Sequence, residues 1–396
     1  MRTSVCVVTS VVLLAACLGG CAGPAAGPYA QWRHGPPDDA DFFPIAVWLQ
    51  EPANAPKYQE LGINVYVGLW KGPTEEQLAE LTRHGMKVIC EQNEVGLKHR
   101  DDPTIIAWMH GDEPDNMKRN EDDTKWIPVA SPEEIIADYK LWRQRDPTRP
   151  VYLNLGQGVA NDAYKGKWVR DHALYVKFIE GCDIVSYDIY PMRTGYAEEH
   201  GKNYLVPFGV DRLYKWSNSK TIVWNIFETI PLPEGKEGPT PHTMRNQVWA
   251  SLIHGSTGIC YFVHQFRPTF IEAGLLAYPE MAKAVGQINA QMQQLAAVLN
   301  SPDAGDLVTA TAYRTGIPVD ITVKRHGGYV YVFAAAMRDG EAAKVTFHVR
   351  PSDAAVPQSG AVEVIGENRS IDMADGLFAD QFGGYDVHLY RFPLKK

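Results

Sequence analysis

Between residues 42 and 266 the chain alternates short apolar runs with longer segments whose apolar residues recur at helical spacing. The apolar runs are rich in Val, Ile and aromatic residues, and most lack strict polar–apolar alternation. That pattern is typical of parallel strands covered on both faces. It predicts eight strands, at residues 43–49, 63–69, 86–92, 105–110, 151–155, 183–190, 221–227 and 258–263.

The segments between these runs carry signals for helix starts and ends. Thr74 is followed by Gln77 and Ser131 by Glu134, which is the capping-box spacing. Helices are predicted at residues 74–84, 131–145, 171–180, 210–217, 243–253 and 281–299, with a short one near 95–101. An alternation of strand and helix repeated eight times predicts an α/β fold, a (β/α)8 TIM barrel over residues 42–300.

From Asn300 onward the pattern changes to short runs in which polar and apolar positions alternate. The runs lie at residues 307–313, 319–324, 329–334, 344–349, 361–365 and 386–392, and turn signals such as Gly327-Gly328 separate them. They predict a small antiparallel β-sandwich over residues 301–396. All ten tryptophans lie at or before Trp249, so this domain lacks the broad aromatic platforms of a sugar-binding module and is interpreted as structural.

The first residues predict a targeting segment outside the fold. Arg2 precedes an apolar run at 5–16, which is too short to span a bilayer as a helix. Small residues precede Cys17 and Cys21, so residues 1–21 resemble a bacterial lipoprotein signal in which one of these cysteines is lipidated. The alternative is a secretory signal cut near 22–26. Both predict export, the first with a lipid anchor at the cell envelope, and residues 22–41 are expected to form a flexible tether.

Charge and cysteine content exclude several other classes. The formal net charge is −9, so the chain has no broad basic field for nucleic acid. Three of the six cysteines lie beyond the leader, at Cys90, Cys182 and Cys260, and none forms a C-x-x-C pair. They are expected to be buried thiols and not a disulfide framework. No ligand set such as H-E-x-x-H occurs, so neither a metal nor another cofactor is predicted.

Chemistry is indicated where two predicted strands end in carboxylates. Strand 105–110 is followed by Asp112, Glu113 and Pro114, and strand 221–227 by Glu228. The C-terminal ends of barrel strands form the catalytic face of this fold. Two glutamates on that face are the minimum equipment of a glycosidase. One carboxylic acid protonates the leaving oxygen, and the other attacks the anomeric carbon from about 5–5.5 Å away. Glu113 and Glu228 are therefore the candidate catalytic pair.

Other polar and aromatic residues near strand ends are candidates for binding a substrate. Tryptophans at these places are either sugar-stacking surfaces or core residues, amides can bind hydroxyl groups, and nearby tyrosines can donate to a carboxylate. The predicted substrate-binding set is Asp112, Trp48, Trp70, Gln92, Asn154, Tyr187, Tyr190, Trp224, Asn225 and His264.

The motifs resemble those of the clan of retaining (β/α)8 glycoside hydrolases that includes cellulases, β-mannanases and β-galactosidases. That clan has its acid/base after the fourth strand, in W-x-x-x-N-E-P, and its nucleophile after the seventh. Residues 108–114 are W-M-H-G-D-E-P, and residues 183–191, D-I-V-S-Y-D-I-Y-P, resemble the clan's sixth strand. The resemblance implies Glu113 as acid/base, Glu228 as nucleophile, retention of configuration and a β-linked oligo- or polysaccharide as substrate.

One departure from the clan keeps two other interpretations open. Asp112 stands where the clan has an Asn that hydrogen-bonds the sugar 2-hydroxyl, and an ionised Asp accepts but does not donate. The chain could instead be a non-catalytic surface glycan-binding lipoprotein on a degenerate barrel. A third interpretation is a hydrolase or lyase for another bond that uses Asp112, His110 and His264, with metal dependence or an unsaturated product.

Overall fold

The computed structural model describes residues 27–163, 171–194, 196–230, 238–312, 317–351 and 354–395. Eight parallel strands form a closed barrel, which confirms the predicted (β/α)8 fold. The seventh strand closes it in two pieces, because Ile222–Val223 pairs with the sixth strand and Asn225–Glu228 with the eighth. The other strands are Ile45–Trp48, Val65–Val67, Lys87–Cys90, Ile105–Met109, Val151–Leu155, Ile184–Tyr187 and Ile259–Phe262.

Helices surround the barrel, and two of them begin at the predicted capping boxes, whereas helix Leu205–Trp216 begins five residues before its predicted start at residue 210 and helix Ala55–Glu60 was not predicted. Thr74 and Ser131 each form the expected capping box, with Gln77 and Glu134. The α-helices are Ala55–Glu60, Glu75–Arg83, Glu94–Lys98, Pro132–Arg145, His172–Ile179, Leu205–Trp216, Pro241–Ile253, Pro279–Gln294 and Ala296–Leu299. Short 3-10 helices lie at Pro52–Asn54, Gln157–Val159, Gly274–Ala277 and Gly305–Leu307. The loop after the fourth strand contains a hairpin of Met117–Arg119 and Trp126–Pro128.

The N-terminal segment closes the bottom of the barrel, the end opposite the catalytic face. Tyr29 and Trp32 are buried there, and the Tyr29 hydroxyl donates to the Thr257 carbonyl at 3.0 Å while it accepts from the Trp224 indole at 2.8 Å. The prediction of a flexible tether is therefore wrong for residues 27–41, because these aromatic rings fill an otherwise open apolar end. Residues 22–26 and the leader with Cys17 and Cys21 lie outside the described residues.

Two antiparallel sheets follow the barrel, which confirms the predicted β-sandwich. The five-stranded sheet packs against helix Pro241–Ile253, where the Trp249 and Phe333 rings meet at 5.2 Å. Asn246 on that helix donates to the Ala336 carbonyl at 2.8 Å. One sheet contains Val308–Ala312, Ala343–Val349 and Leu377–Phe382, and the other contains Val319–His326, Tyr329–Ala336, Val387–Pro393, Gly360–Val364 and Arg369–Met373.

The three cysteines of the folded region are buried free thiols, as the sequence predicts: Cys90, Cys182 and Cys260. They act as small apolar side chains, and burial raises the pKa of each thiol. Among the residues described, no helix combines the length and the apolar character needed to cross a bilayer.

Candidate active site

A cluster of carboxyl groups occupies the C-terminal mouth of the barrel, at the ends of the fourth, fifth and sixth strands. We call Asp112, Glu113 and Asp188 the carboxyl cluster. Asn154 at the end of the fifth strand holds it together, because its amide nitrogen donates to Asp112 at 2.9 Å and to Asp188 at 3.4 Å. The Ser186 hydroxyl donates to the Asn154 carbonyl oxygen at 2.7 Å and so fixes which way the amide points.

The carboxyl groups of Glu113 and Asp188 interact with each other. Glu113 is half-buried, and its backbone φ of 42° lies in the left-handed region, which a non-glycine residue seldom adopts. Burial first, and then the charges of Asp188 and Asp112, raise the pKa of Glu113 to about 11. Burial also raises the pKa of Asp188, while hydrogen bonds from Glu113, Tyr190 and Asn154 favour its charged form. Burial and the Asp188 charge therefore favour the protonated form of Glu113.

The two flanking aspartates differ in their surroundings. The Asp112 side chain is exposed, although protein atoms surround much of its carboxyl group. Desolvation by these atoms, followed by the Asp188 charge, raises the pKa of Asp112 to about 7. Asp115 is fully buried, and burial raises its pKa to about 6. It accepts from the Gly156 amide at 2.9 Å and from the Tyr175 hydroxyl at 3.0 Å. Asp115 therefore secures the loop after the fourth strand, and Asp112 faces the cleft.

Glu228, the second predicted catalytic glutamate, lies below the surface. Its side chain has 0% exposure, and one oxygen accepts from the Met192 amide and from the Gln247 side chain, both at 2.8 Å. Its other oxygen has no partner among the described residues. Burial raises the pKa of Glu228 to about 7, against the opposing effects of these hydrogen bonds and of the Arg193 charge.

Arg193 and Tyr190 lie between Glu228 and the carboxyl cluster. The Arg193 guanidinium stands 5.9 Å from the centre of the Tyr190 ring and 5.3 Å from that of Phe262. Tyr190 in turn interacts with Asp188 and favours the charged form of that carboxyl group, which lowers the pKa of Asp188 against the effect of burial. Two guanidinium nitrogens of Arg193 have no partner in the described part of the chain, although the side chain is only 4% exposed. Glu228 and Glu113 are therefore joined through intervening side chains.

The structure brings some predicted binding residues to the mouth. Asn154 contacts Asp112, and Tyr190 interacts with Asp188, so these three predicted residues lie at the same end of the barrel as Glu113. Trp70 and His264 stack at 5.7 Å elsewhere on the same face, beside Phe266 and Phe270. We call these last four residues the aromatic wall.

Two predicted tryptophan surfaces are core residues instead, which corrects the binding role considered for them. The Trp224 indole is fully buried and donates to Tyr29 at 2.8 Å, so it faces the end opposite the mouth. Trp48 is 5% exposed and packs in the barrel interior. A closed barrel needs large side chains to fill its interior, and these two tryptophans fill it.

Three more predicted binding residues face helices or neighbouring strands and not the mouth. Ser186 and Asp188 point inward, so strand alternation sends Tyr187 outward, where its hydroxyl donates to the Leu205 carbonyl at 3.0 Å. Asn225 donates to the Tyr187 carbonyl at 2.9 Å and ties two strands together. Gln92 donates to the Trp142 carbonyl at 3.1 Å. The structure contradicts the predicted binding role of these three residues, because each side chain is hydrogen-bonded to a backbone carbonyl away from the mouth.

The interpretation that places His110 in the chemistry is also contradicted. His110 is buried outside the barrel, where it stacks on Trp142 at 4.5 Å and hydrogen-bonds the Gly181 carbonyl at 2.9 Å. Within the part of the chain that the structure describes, no group of three or more His, Cys, Asp or Glu side chains is arranged to hold a metal ion.

Sequence reasoning missed Asp188 and the two phenylalanines of the wall. Asp188 ends the sixth strand in S-Y-D-I-Y-P, so the rule that singled out Glu113, a carboxylate at a strand end followed by proline, also applies to it. Phe266 and Phe270 lie in the loop after the eighth strand, and no local pattern distinguishes an exposed phenylalanine from a buried one.

A closed parallel barrel with outer helices and a carboxyl-rich mouth places this chain in the (β/α)8 barrel class. No protein-family model matches the sequence, and no curated protein is significantly similar to it. Among solved structures, α-galactosidase I from Mortierella vinacea is similar with a TM-score of 0.52 at 11% identity, over 90% of this chain and 99% of that one. This likeness shows the fold.

Two further solved structures are similar over most of their length but at lower scores. A GH30 endoxylanase from Clostridium papyrosolvens has a TM-score of 0.45 at 11% identity, over 89% of this chain and 96% of that one. An Anoxybacillus α-amylase has a TM-score of 0.45 at 10% identity, and the match covers 90% of this chain and 99% of that one. At these scores the two structures add nothing to the assignment.

Proposed function

We propose that the protein is a glycoside hydrolase that works at the mouth of its barrel, with Glu113 as the general acid. One observation carries the proposal: Glu113 is half-buried at the mouth of the barrel, beside a second carboxyl group, Asp188, whose charge together with burial raises the pKa of Glu113. A glycosidase needs a carboxylic acid that keeps its proton at neutral pH until negative charge develops on the leaving oxygen. Glu113, now a carboxylate, then acts as the base that deprotonates the attacking water.

For the nucleophile we propose Glu228, with retention of configuration. It ends the seventh strand, and hydrogen bonds from Met192 and Gln247, together with the Arg193 charge, favour its ionised form. Its second oxygen has no partner among the described residues and is available for attack. Because Glu228 has no exposed surface, this assignment requires residues 191–194 to move when a sugar binds.

Asp188 is the other carboxylate near Glu113, but it fits a different role. The two carboxyl groups of a retaining pair stand about 5–5.5 Å apart so that the sugar fits between them. Asp188 interacts with Glu113 and its charge raises the pKa of Glu113, which suits a positioning role. We therefore assign Asp188 as a positioning residue that keeps the proton on Glu113.

The substrate class and the location are proposed on other grounds. The clan resemblance supports a β-linked oligo- or polysaccharide, and the leader supports export with a lipid anchor at Cys17 or Cys21. A second function, glycan binding without turnover, is favoured by one observation, the complete burial of Glu228. Under that function Glu228 is structural and holds the loop after the sixth strand.

Hydrolysis by matched variants tests the proposal. The chain from residue 22 onward is assayed on β-glycans, on α-linked counterparts and on aryl glycosides. Glu113→Gln and Glu228→Gln are compared with Glu133→Gln, which replaces an exposed glutamate paired only with Lys177 at 3.4 Å. Turnover by the wild type and the control but by neither of the other two supports the pair, and NMR of the first-formed anomer tests retention. If sugars bind and no protein cleaves them, the protein binds glycans without catalysis.

A further inference from the structure

The aromatic wall exposes an unusual amount of apolar ring surface beside the carboxyl cluster. Phe266 and Phe270 are 55% and 50% exposed, and Trp70 is 38% exposed, with His264 behind them. The two phenylalanine rings lie 5.9 Å apart and the His264 ring lies 5.9 Å from Phe270. Exposed apolar side chains that cluster in this way mark a binding surface more often than isolated ones do.

The loop that carries the two phenylalanines is held in place by its own hydrogen bonds. Gln265 and Ile271 exchange both backbone hydrogen bonds, at 3.0 and 2.9 Å. The Gln265 side chain donates to the Thr269 carbonyl at 3.2 Å and accepts from the Tyr278 hydroxyl at 2.7 Å. The wall is therefore preorganised, since its rings are presented by a braced loop before any ligand arrives.

The Trp70 indole N–H and one ring nitrogen of His264 are already used within the protein. The Trp70 indole donates to Glu272 at 2.7 Å, and His264 hydrogen-bonds the Leu49 carbonyl at 2.9 Å. Phenylalanine rings have no polar atom to offer. A sugar ring carries several hydroxyl groups that need partners when water is displaced, whereas a flat aromatic group needs few or none. The composition of the wall therefore favours a planar, weakly hydrated ligand.

A continuous path of contacts leads from the wall to the carboxyl cluster. The His264 and Phe262 rings lie 5.1 Å apart, and the Phe262 and Tyr190 rings 5.3 Å apart. Tyr190 in turn interacts with Asp188. The wall and the carboxyl cluster are thus connected by contacting side chains on the same face of the barrel.

We propose that the aromatic wall binds a planar aromatic group of the substrate, so that the preferred substrates are glycosides or glycans carrying an aryl group. The reference to a substrate rests on the proposed function. The binding site itself does not, because it can be measured with a probe that has no glycosidic bond.

The experiment measures binding of 4-methylphenol, with myo-inositol as a probe of similar size that is covered in hydroxyl groups. Saturation-transfer NMR compares the wild type with the double variant Phe266→Ala/Phe270→Ala. The control is Phe208→Ala, which removes a 38% exposed phenylalanine that lies over Arg212 at 4.2 Å on a surface helix. We expect saturable binding of the phenol by the wild type and the control, and at least about a tenfold loss of affinity in the double variant.

Three results would overturn the proposal. Equal phenol affinity in the wild type and the double variant would remove the wall as the site. Equal binding of myo-inositol and the phenol by the wild type would assign the wall to sugar rings. Self-association of the wild type that the double variant abolishes would assign it to a protein contact. Phenol binding without hydrolysis of any glycoside would refute the proposed function and leave this inference standing.

Discussion

Replacing Asp188 by Asn should lower the pKa of Glu113 and shift the alkaline limb of the pH–activity profile toward lower pH. The pKa of Glu113 is raised by burial and then by the Asp188 charge, and the substitution removes that charge together with the carboxylate that interacts with Glu113. Two charges at about 4 Å interact by about 4 kcal/mol at an effective dielectric constant of 20, and one pKa unit corresponds to about 1.4 kcal/mol. Because Glu113 is only half-buried, solvent screens part of this interaction, and we expect the pKa of Glu113 to fall by about 1–3 units.

The direction of the shift follows from which form of Glu113 is active. The general acid works when it is protonated, so activity falls as pH rises through its pKa, and a lower pKa brings that fall to lower pH. Carbon-13 NMR of labelled glutamate carboxyls measures the same pKa in the absence of turnover. Asp112→Asn should shift the pKa in the same direction but less, because its charge acts less strongly on Glu113 than that of Asp188.

A surface substitution, Asp372→Asn, is the matched control for the loss of one carboxylate and should leave both measurements unchanged. An Asp188→Asn protein that folds normally and titrates Glu113 at the wild-type pKa would refute the effect of the Asp188 charge on the pKa of Glu113. The role of Asp188 as a positioning residue would then have to be abandoned, even if the variant loses activity.

Three further predictions concern stability. His254 lies between Asp211 and Asp320, at 2.9 and 3.1 Å, and these contacts outweigh burial and raise its pKa to about 9. His254→Gln should therefore lower the free energy of unfolding by about 1–2 kcal/mol at pH 6.5, and this loss should fade as pH rises through 9. Urea unfolding at several pH values measures it. Tyr29→Phe leaves the buried Trp224 indole without its acceptor and should cost about 1–3 kcal/mol in the same assay; an unchanged midpoint would contradict the closing role of the segment. Gly209→Ala places a methyl group 2.2 Å from the Tyr187 ring, and this overpacking should destabilise the fold by about 1–3 kcal/mol and lower the melting temperature. Gly85→Ala is the control: the added methyl group meets no atom within 4 Å, so it tests the cost of the backbone conformation alone.

The barrel could be predicted because its evidence is local. Each apolar run and each capping box lies within a few residues, so the strands and the helix starts at Thr74 and Ser131 follow from the sequence. The last domain was harder, since strand Arg369–Met373 mixes charged and apolar residues and was not predicted. The segment around Tyr29 was misjudged because its composition is typical of a linker, while its two aromatic rings decide its packing.

The site was harder to predict because side-chain direction depends on strand parity. Tyr187 and Tyr190 were equal candidates in the sequence, yet one faces a helix and the other contacts Asp188. The contact between Glu113 and Asp188 joins strands that are not neighbours, and Asn154 on the strand between them holds both sides. Such a contact follows from barrel closure and cannot be obtained from spacing along the chain.

The packing of Tyr29 also determines how the molecule would be oriented at a surface. The Tyr29 hydroxyl contacts Thr257, just before the eighth strand, so this end of the described chain lies opposite the mouth. Any surface that held the protein by this end would leave the carboxyl cluster facing the surrounding medium, open to polymers there.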